Sequence, residues 1–276
     1  MSCARFTLAL VLAGGLVAPS LAAGEGASAS AKTHSEKFTL ATLSYQPEWC
    51  APEMDAVSPK VCHVTGTPAP DGRRTLVIYL HGVIGKNTMW QWFQERGIGR
   101  VAKELHFDAL VPQAPRVGKN GEGGFAWPGL GKPKGDGEEE DEMVREWTAA
   151  RRALEERSGR PYDEVYVVGF SSGAYFATSL ALRGKLDVDG YIVLAGGATG
   201  RVTADDDHRT PVFVGVCADD HASAPEAREL GRMLSSQGWP VRVDEQPFGH
   251  GVSDVHVAHA LGWFRGRKAA RRALSN

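Results

Sequence analysis

A serine framed by two glycines, a histidine framed by two glycines and a pair of adjacent aspartates are the residues here whose types and spacing could do chemistry. Gly169-Phe170-Ser171-Ser172-Gly173 reads G-x-S-x-G. It follows the apolar run Glu164-Val165-Tyr166-Val167-Val168 and precedes a helical stretch from Ala174, the strand–turn–helix context that gives the pattern meaning. The flanking glycines remove Cβ atoms that would clash in so tight a turn. Ser171 Oγ then sits at the start of a helix, where the dipole favours a developing anion. The spacing of the glycines selects Ser171 over its neighbour Ser172. A serine hydroxyl is a weak nucleophile and needs a base. Of the nine histidines, His250 stands in Phe248-Gly249-His250-Gly251, just after the strand-like segment around Val241 to Gln246. A base in turn needs an orienting carboxylate. Asp219 or Asp220 can supply it, at the end of the run Val212 to Val216. Acyl transfer also needs donors for an oxyanion. The backbone N–H of Ser172 is one candidate. The other is the N–H of Val83 in His81-Gly82-Val83-Ile84-Gly85, with Gly82 allowing a close turn and His81 bracing the loop by hydrogen bonding. His256 and His259, one helical turn apart, read as surface residues or a weak, fortuitous metal pair.

These groups must be positioned by the elements around them. Thr75 to Leu80 is a continuous apolar run, the mark of a strand buried on both faces. Further strands are expected at Asp108 to Pro112, Glu164 to Val168, Tyr191 to Leu194, Val212 to Val216 and Val241 to Asp244. Helices are expected at Met89 to Leu105, Glu138 to Arg157, Ala174 to Leu182, Ala224 to Ser235 and Asp254 to Arg267. Strand alternating with helix means a parallel sheet covered on both faces. The acidic run Glu138 to Asp141 suits a helix start, and the basic Arg265 to Arg272 suits a solvated helix end. Residues 116–141 form one long Gly-, Lys- and Glu-rich loop.

The chain has 276 residues and a formal net charge of -2, which gives no electrostatic reason to expect a nucleic-acid partner. Arg5 followed by the apolar run Phe6 to Val17 and the small residues around Ala22 reads as a secretory signal peptide over residues 1–22. Residues 23–36 read as a flexible leader and 37–276 as one domain. A secreted or periplasmic protein with no stable membrane insertion after signal cleavage is expected. Cys50 and Cys62 enclose a short Pro-containing segment and are a candidate disulfide in an oxidising compartment, while Cys217 stays free. No Cys/His cluster has zinc spacing, so neither a metal nor another cofactor is expected.

Together these stretches resemble an α/β-hydrolase. They are most similar to the esterase branch holding dienelactone-hydrolase-like, phospholipase/carboxylesterase and polyhydroxybutyrate-depolymerase-like enzymes. The resemblance is carried by LVIYLHG at Leu76–Gly82, PQAP at Pro112–Pro115, DEVYVVGFSSG at Asp163–Gly173, PVFVGVCAD at Pro211–Asp219, Ala227–Leu230 and GHG at Gly249–Gly251. The order Ser…Asp…His is that of this superfamily. In such families the acid commonly stands eight residues before an A-x-x-L helix motif, and that spacing runs here from Asp219 to Ala227 and Leu230. The resemblance therefore implies a triad of Ser171, Asp219 and His250. Two departures stand out. The usual H-G-x-x-D before the acid is replaced by Val216-Cys217-Ala218-Asp219, and the oxyanion loop reads HGV where hormone-sensitive-lipase-like esterases have HGGG.

The implied fold is α/β: a mostly parallel, doubly wound sheet of about eight strands with helices on both faces. The segment 196–210 is too poor in large apolar residues to build a cap domain. An open cleft follows, rimmed by the 116–141 loop and the segment around Met89, Trp90 and Trp92. Trp127 and Trp90 are candidate substrate contacts, with anchoring of the long loop as the competing role for Trp127. The implied activity is hydrolysis of a small-molecule or polymer-end carboxylic ester through an acyl-enzyme. A serine peptidase or amidase on the same fold, and a binding protein without turnover, are the alternatives.

Overall fold

The computed structural model describes residues 48–85, 89–117, 123–128, 137–197, 200 and 209–275. The signal peptide and leader read from the sequence, and much of the 116–141 loop, lie outside the described residues.

Residues that are apolar at successive positions cannot face water on either side of a pleat, so they form interior strands. Strand β3 (Thr75–Leu80) and β9 (Val212–Cys217) are buried along their whole length, as is β8 (Gly190–Leu194). With β1 (Asp55–Ser58), β2 (Val61–Val64), β5 (Asp108–Pro112), β7 (Glu164–Phe170) and β10 (Val241–Gln246) they make an eight-stranded sheet in the order β1-β2-β5-β3-β7-β8-β9-β10. From β5 to β10 every neighbouring pair is parallel, while β1 and β2 add an antiparallel edge. A separate two-stranded ribbon joins β4 (Ile84–Gly85) to β6 (Gly124–Phe125).

Crossover geometry assigns the helices to faces. From β3 the chain moves through α1 (Trp90–Leu105) to β5 on one side, then returns through α2 (Glu138–Ser158) to β7 on the other. Right-handed connections running in opposite directions put α1 and α2 on opposite faces. Helices α3 (Ser172–Arg183) and α4 (Ala224–Ser236) follow the α2 direction, and α2 is tied to α3 by Trp147 edge-on to Phe176 and by the ion pair of Glu140 with Arg183. The last helix, α5 (Asp254–Ser275), joins α1 through a two-pronged Arg100–Asp254 pair at 2.6 and 3.0 Å. No cap domain is present among the described residues.

Three sequence expectations are corrected here. The β1–β2 hairpin was not anticipated. Its first strand and turn lie between Cys50 and Cys62 and its second strand carries Cys62, and the structure joins those two cysteines with Cα atoms 5.4 Å apart. The basic helix end is not simply solvated, because α5 runs on to Ser275 and Arg265 reaches back to the buried carboxylate of Glu164 at 3.0 Å, opposite Arg73 at 3.0 Å. His256 is fully buried against Phe213 and over Gly215, not on the surface. His259 is half exposed and its Nδ1 lies 2.9 Å from Asp244.

Candidate active site

Strand β7 delivers Ser171 into a turn that only small neighbours permit. Ser171 has φ 52° and ψ −117°, a left-side conformation that L residues rarely adopt. A Cβ at Gly169 would stand 2.3 Å from the carbonyl oxygen of Gly173, and one at Gly173 would stand 2.0 Å from that of Leu80. Both glycines are therefore demanded by close backbone approach. The strained residue is held by its N–H to Leu194 O at 3.0 Å and by its own carbonyl accepting from Ala174 N at 2.8 Å. The turn projects Oγ at the N-terminal end of α3.

His250 Nε2 lies 3.0 Å from Ser171 Oγ. Its Nδ1 lies 2.6 Å from Oδ2 of Asp220, so Nδ1–H donates to the carboxylate and Nε2 is left as the acceptor facing the serine. The imidazole is half exposed and packs on Phe170, with ring centroids 5.1 Å apart. The loop carrying it is fastened to the end of β9 by Ala218 N to Gln246 O at 2.8 Å and Asp219 N to Phe248 O at 3.1 Å.

The acid is Asp220 in this geometry, not Asp219, which corrects the choice made from motif spacing. The backbone of Asp219 still continues the pairing toward Phe248, and its side chain is exposed. The next residue turns inward at the start of α4. There Asp220 Oδ1 receives the N–H groups of Ala222 and Ser223 at 3.3 Å each, and Oδ2 receives the Ser223 hydroxyl as well as His250. Burial pulls this carboxyl upward, but the hydrogen bonds from Ser223 and His250 outweigh it and hold it down to about 2. Sequence reasoning missed Ser223. An Asp followed at short range by Ser and then Pro225 at a helix start is the turn-forming signal that would have found both.

The loop after β3 is wired atom by atom. His81 is fully buried; its Nδ1–H donates to Gly82 O at 2.6 Å and its Nε2 accepts from Ala114 N at 3.1 Å, which fixes the tautomer. Burial lowers its pKa to about 4, so it stays neutral. The Gly82–Val83 peptide is trans, so the Val83 N–H points opposite to the Gly82 carbonyl and away from the His81 ring. The Val83 N–H has no hydrogen-bond partner among the described residues. The N–H of Ser172, first in α3, is an orphan donor of a helix start. An added Cβ on Gly82 would stand 3.3 Å from Ser171 Cβ, so the loop lies directly against the serine.

A cleft of about 480 Å³ opens beside Ser171 and His250, lined by Val83, Trp90, Phe93, Gln94, Phe170 and Val252 among others. Trp90 and Phe93 are more than half exposed at its mouth. Trp90 thus stands where the sequence placed it. Trp127 does not: it is buried, donates Nε1–H to His81 O at 2.8 Å, gives its backbone N–H to Ser172 Oγ at 3.0 Å and stacks on Phe176. Loop anchoring is its role, because an indole that fills the core and spends its N–H there has nothing left to offer the cleft. The described residues of 116–141 do not line the cleft either, whose wall is α1 and the His250 loop. A larger cavity of about 610 Å³ lies at the opposite ends of the strands, near Asp189 and Pro211, and is not lined by Ser171, Asp220 or His250. Among the described residues no cluster of three or more His, Cys, Asp or Glu could hold a metal ion.

Residues 122–254, which include Ser171, Asp220 and His250, match the dienelactone hydrolase family. No curated protein sequence matches the chain. Among solved structures, a Bacillus cereus carboxylesterase is 19% identical and superposes with a TM-score of 0.52 over 78% of this chain and 95% of its own. A Mesorhizobium loti carboxylesterase is 21% identical, with a TM-score of 0.51 over 75% of this chain and 94% of its own. Acyl-protein thioesterase 2 of Zea mays is 18% identical, with a TM-score of 0.51 over 75% of this chain and 98% of its own. At such identities the structural likeness speaks to the fold. With that strand order and these likenesses taken together, the chain has the α/β-hydrolase fold, and its residues 122–254 are similar to the dienelactone hydrolase family.

Proposed function

We propose that the protein is a serine hydrolase that cleaves carboxylic esters through an acyl-enzyme. Ser171 Oγ attacks the acyl carbon and its proton passes to His250 Nε2. Asp220 keeps the ring in the tautomer that can accept it and stabilises the imidazolium. The carbonyl oxygen, now an anion, takes the Val83 and Ser172 N–H groups. His250 returns the proton to the leaving alcohol oxygen as the C–O bond breaks. Water, deprotonated by the same imidazole, then releases the acid and restores Ser171. The observation that carries this reading is the unbroken chain from Ser171 Oγ to His250 at 3.0 Å and from His250 to Asp220 at 2.6 Å, at a serine held in a strained turn.

Purified protein assayed on a panel of 4-nitrophenyl and alkyl esters tests it. Turnover by the wild type is expected, with Ser171→Ala and His250→Ala each losing about 10⁴-fold or more in kcat. Equal rates in wild type and Ser171→Ala would refute the assignment. We also propose export after cleavage near Ala22. The Cys50–Cys62 bond supports it, since such bonds persist in oxidising compartments. N-terminal sequencing of the exported protein, starting near Gly24, checks it.

A further inference from the structure

Gln94, on the α1 wall of the cleft, is a residue to which the triad chemistry assigns no part. Its carboxamide oxygen accepts from Gly82 N at 2.8 Å and from the Tyr79 hydroxyl at 3.3 Å. A backbone N–H can only donate, so this contact fixes which end of the amide is oxygen. The same bond consumes the Gly82 N–H, while the Gly82 carbonyl is consumed by His81. Of the N–H groups of Gly82 and Val83, that of Val83 is the one left for an oxyanion among the described residues. The amide nitrogen of Gln94 must then point the other way. It has no hydrogen-bond partner among the described residues, and Gln94 lines a cleft that Val83, Trp90, Phe93, Phe170 and Val252 make largely apolar near the serine, while the two charged lining residues, Arg100 and Asp254, are paired with each other. A polar donor pair held rigidly beside apolar walls is how binding sites fix the orientation of a ligand.

We infer that Gln94 Nε2 is a specificity determinant: it donates to an acceptor oxygen carried by the apolar group that occupies the cleft. The favoured substrates are esters whose acyl part is apolar but bears a carbonyl, ether or hydroxyl oxygen a few atoms from the scissile bond. This rests on the ester-hydrolase reading above. Gln94 is buttressed from behind by Tyr79, which is buried, so its amide cannot turn to hide the donor without leaving Tyr79 and Gly82 unpaired.

Matched pairs of 4-nitrophenyl esters, one with and one without an ether oxygen in an otherwise equal acyl chain, separate the two readings. The readout is the ratio of kcat/KM within a pair, which cancels any general loss of activity or of folded protein. The wild type is expected to favour the oxygen-bearing member by about three- to tenfold, the worth of one neutral hydrogen bond, mainly through KM. In Gln94→Glu the carboxylate still accepts from Gly82 and Tyr79 but donates nothing, and the ratio should fall to one or below. Gln94→Met should also abolish the preference. A wild type without preference at any ether position along the chain, or a Gln94→Glu variant that keeps the preference, would overturn the inference while leaving ester hydrolysis intact. Absence of turnover on every ester would instead overturn the ester-hydrolase reading, and this inference with it.

Discussion

At the scale of single residues, the candidate nucleophile and base were legible because backbone geometry restricts the amino acids around them. Gly169 and Gly173 are required by approaches under 2.5 Å, so the motif that marks Ser171 is a direct imprint of the turn. His250 was legible from its place after the last strand. The acid was not, because two aspartates stand side by side and a single-residue turn at the end of β9 decides which one faces inward. Motif spacing cannot resolve such a step, whereas the hydrogen bonds from Ala222, Ser223 and His250 can. Asp220→Asn is therefore expected to lower kcat by about 10⁴, since the amide favours the wrong imidazole tautomer. Asp219→Asn should stay within a few-fold of wild type. Steady-state kinetics of the two variants on one ester give the ranking, and the reverse order would return the acid to Asp219.

At the scale of elements, the interior strands and their helices were legible, with most ends displaced by a few residues and the last helix running on past Arg267 to Ser275. Continuous apolar runs leave no choice of face. The edge was not: Asp55–Ser58 is short and partly exposed, and only pairing with Val61–Val64 makes it a strand. Trp127 was left between two roles for a related reason, since sequence cannot tell an aromatic that guards a cleft from one that pins a loop. Helix α1 carries a further element-scale device. Glu95 is fully buried and accepts the Ala51 N–H at 2.8 Å, which ties the helix to the segment beside the disulfide. Burial raises its pKa from 4.5 to about 8, partly offset by that hydrogen bond. The folded state thus holds a proton that the unfolded chain has already released, and stability falls as pH rises from 4.5 to about 8, then levels. The slope is bounded at about 1.4 kcal/mol per pH unit for one group. Denaturant melts across pH 5 to 8 should show wild type losing stability faster than Glu95→Gln, which keeps an acceptor for Ala51. Parallel curves for the two proteins would mean that Glu95 ionises normally.

At the scale of the whole molecule, the sheet brings the ends of β3, β7 and β9 and the loop after β10 to one edge, which is why residues from 81 to 250 meet. Strand order made that meeting predictable from chain order alone, but not the shape of the cleft. The cleft wall comes from α1 and the His250 loop, whose Trp90 and Phe93 are exposed, and the described residues hold no cap over it. Among the described residues there is no lid to lift at an interface. Hydrolysis of a short-chain triglyceride should therefore rise smoothly through the solubility limit, and a sharp jump there would show a closed form. The described residues also include no helix long and apolar enough to cross a membrane.

The position of the adduct formed by a fluorophosphonate, which reacts with a serine activated by its base, tests the role of Ser171 most directly. Intact mass and peptide mapping should find one phosphonyl group, on Ser171, in the wild type, and none in Ser171→Ala or His250→Ala. A folded wild type that stays unlabelled, or a label on another residue, would contradict the assignment of Ser171 as the nucleophile.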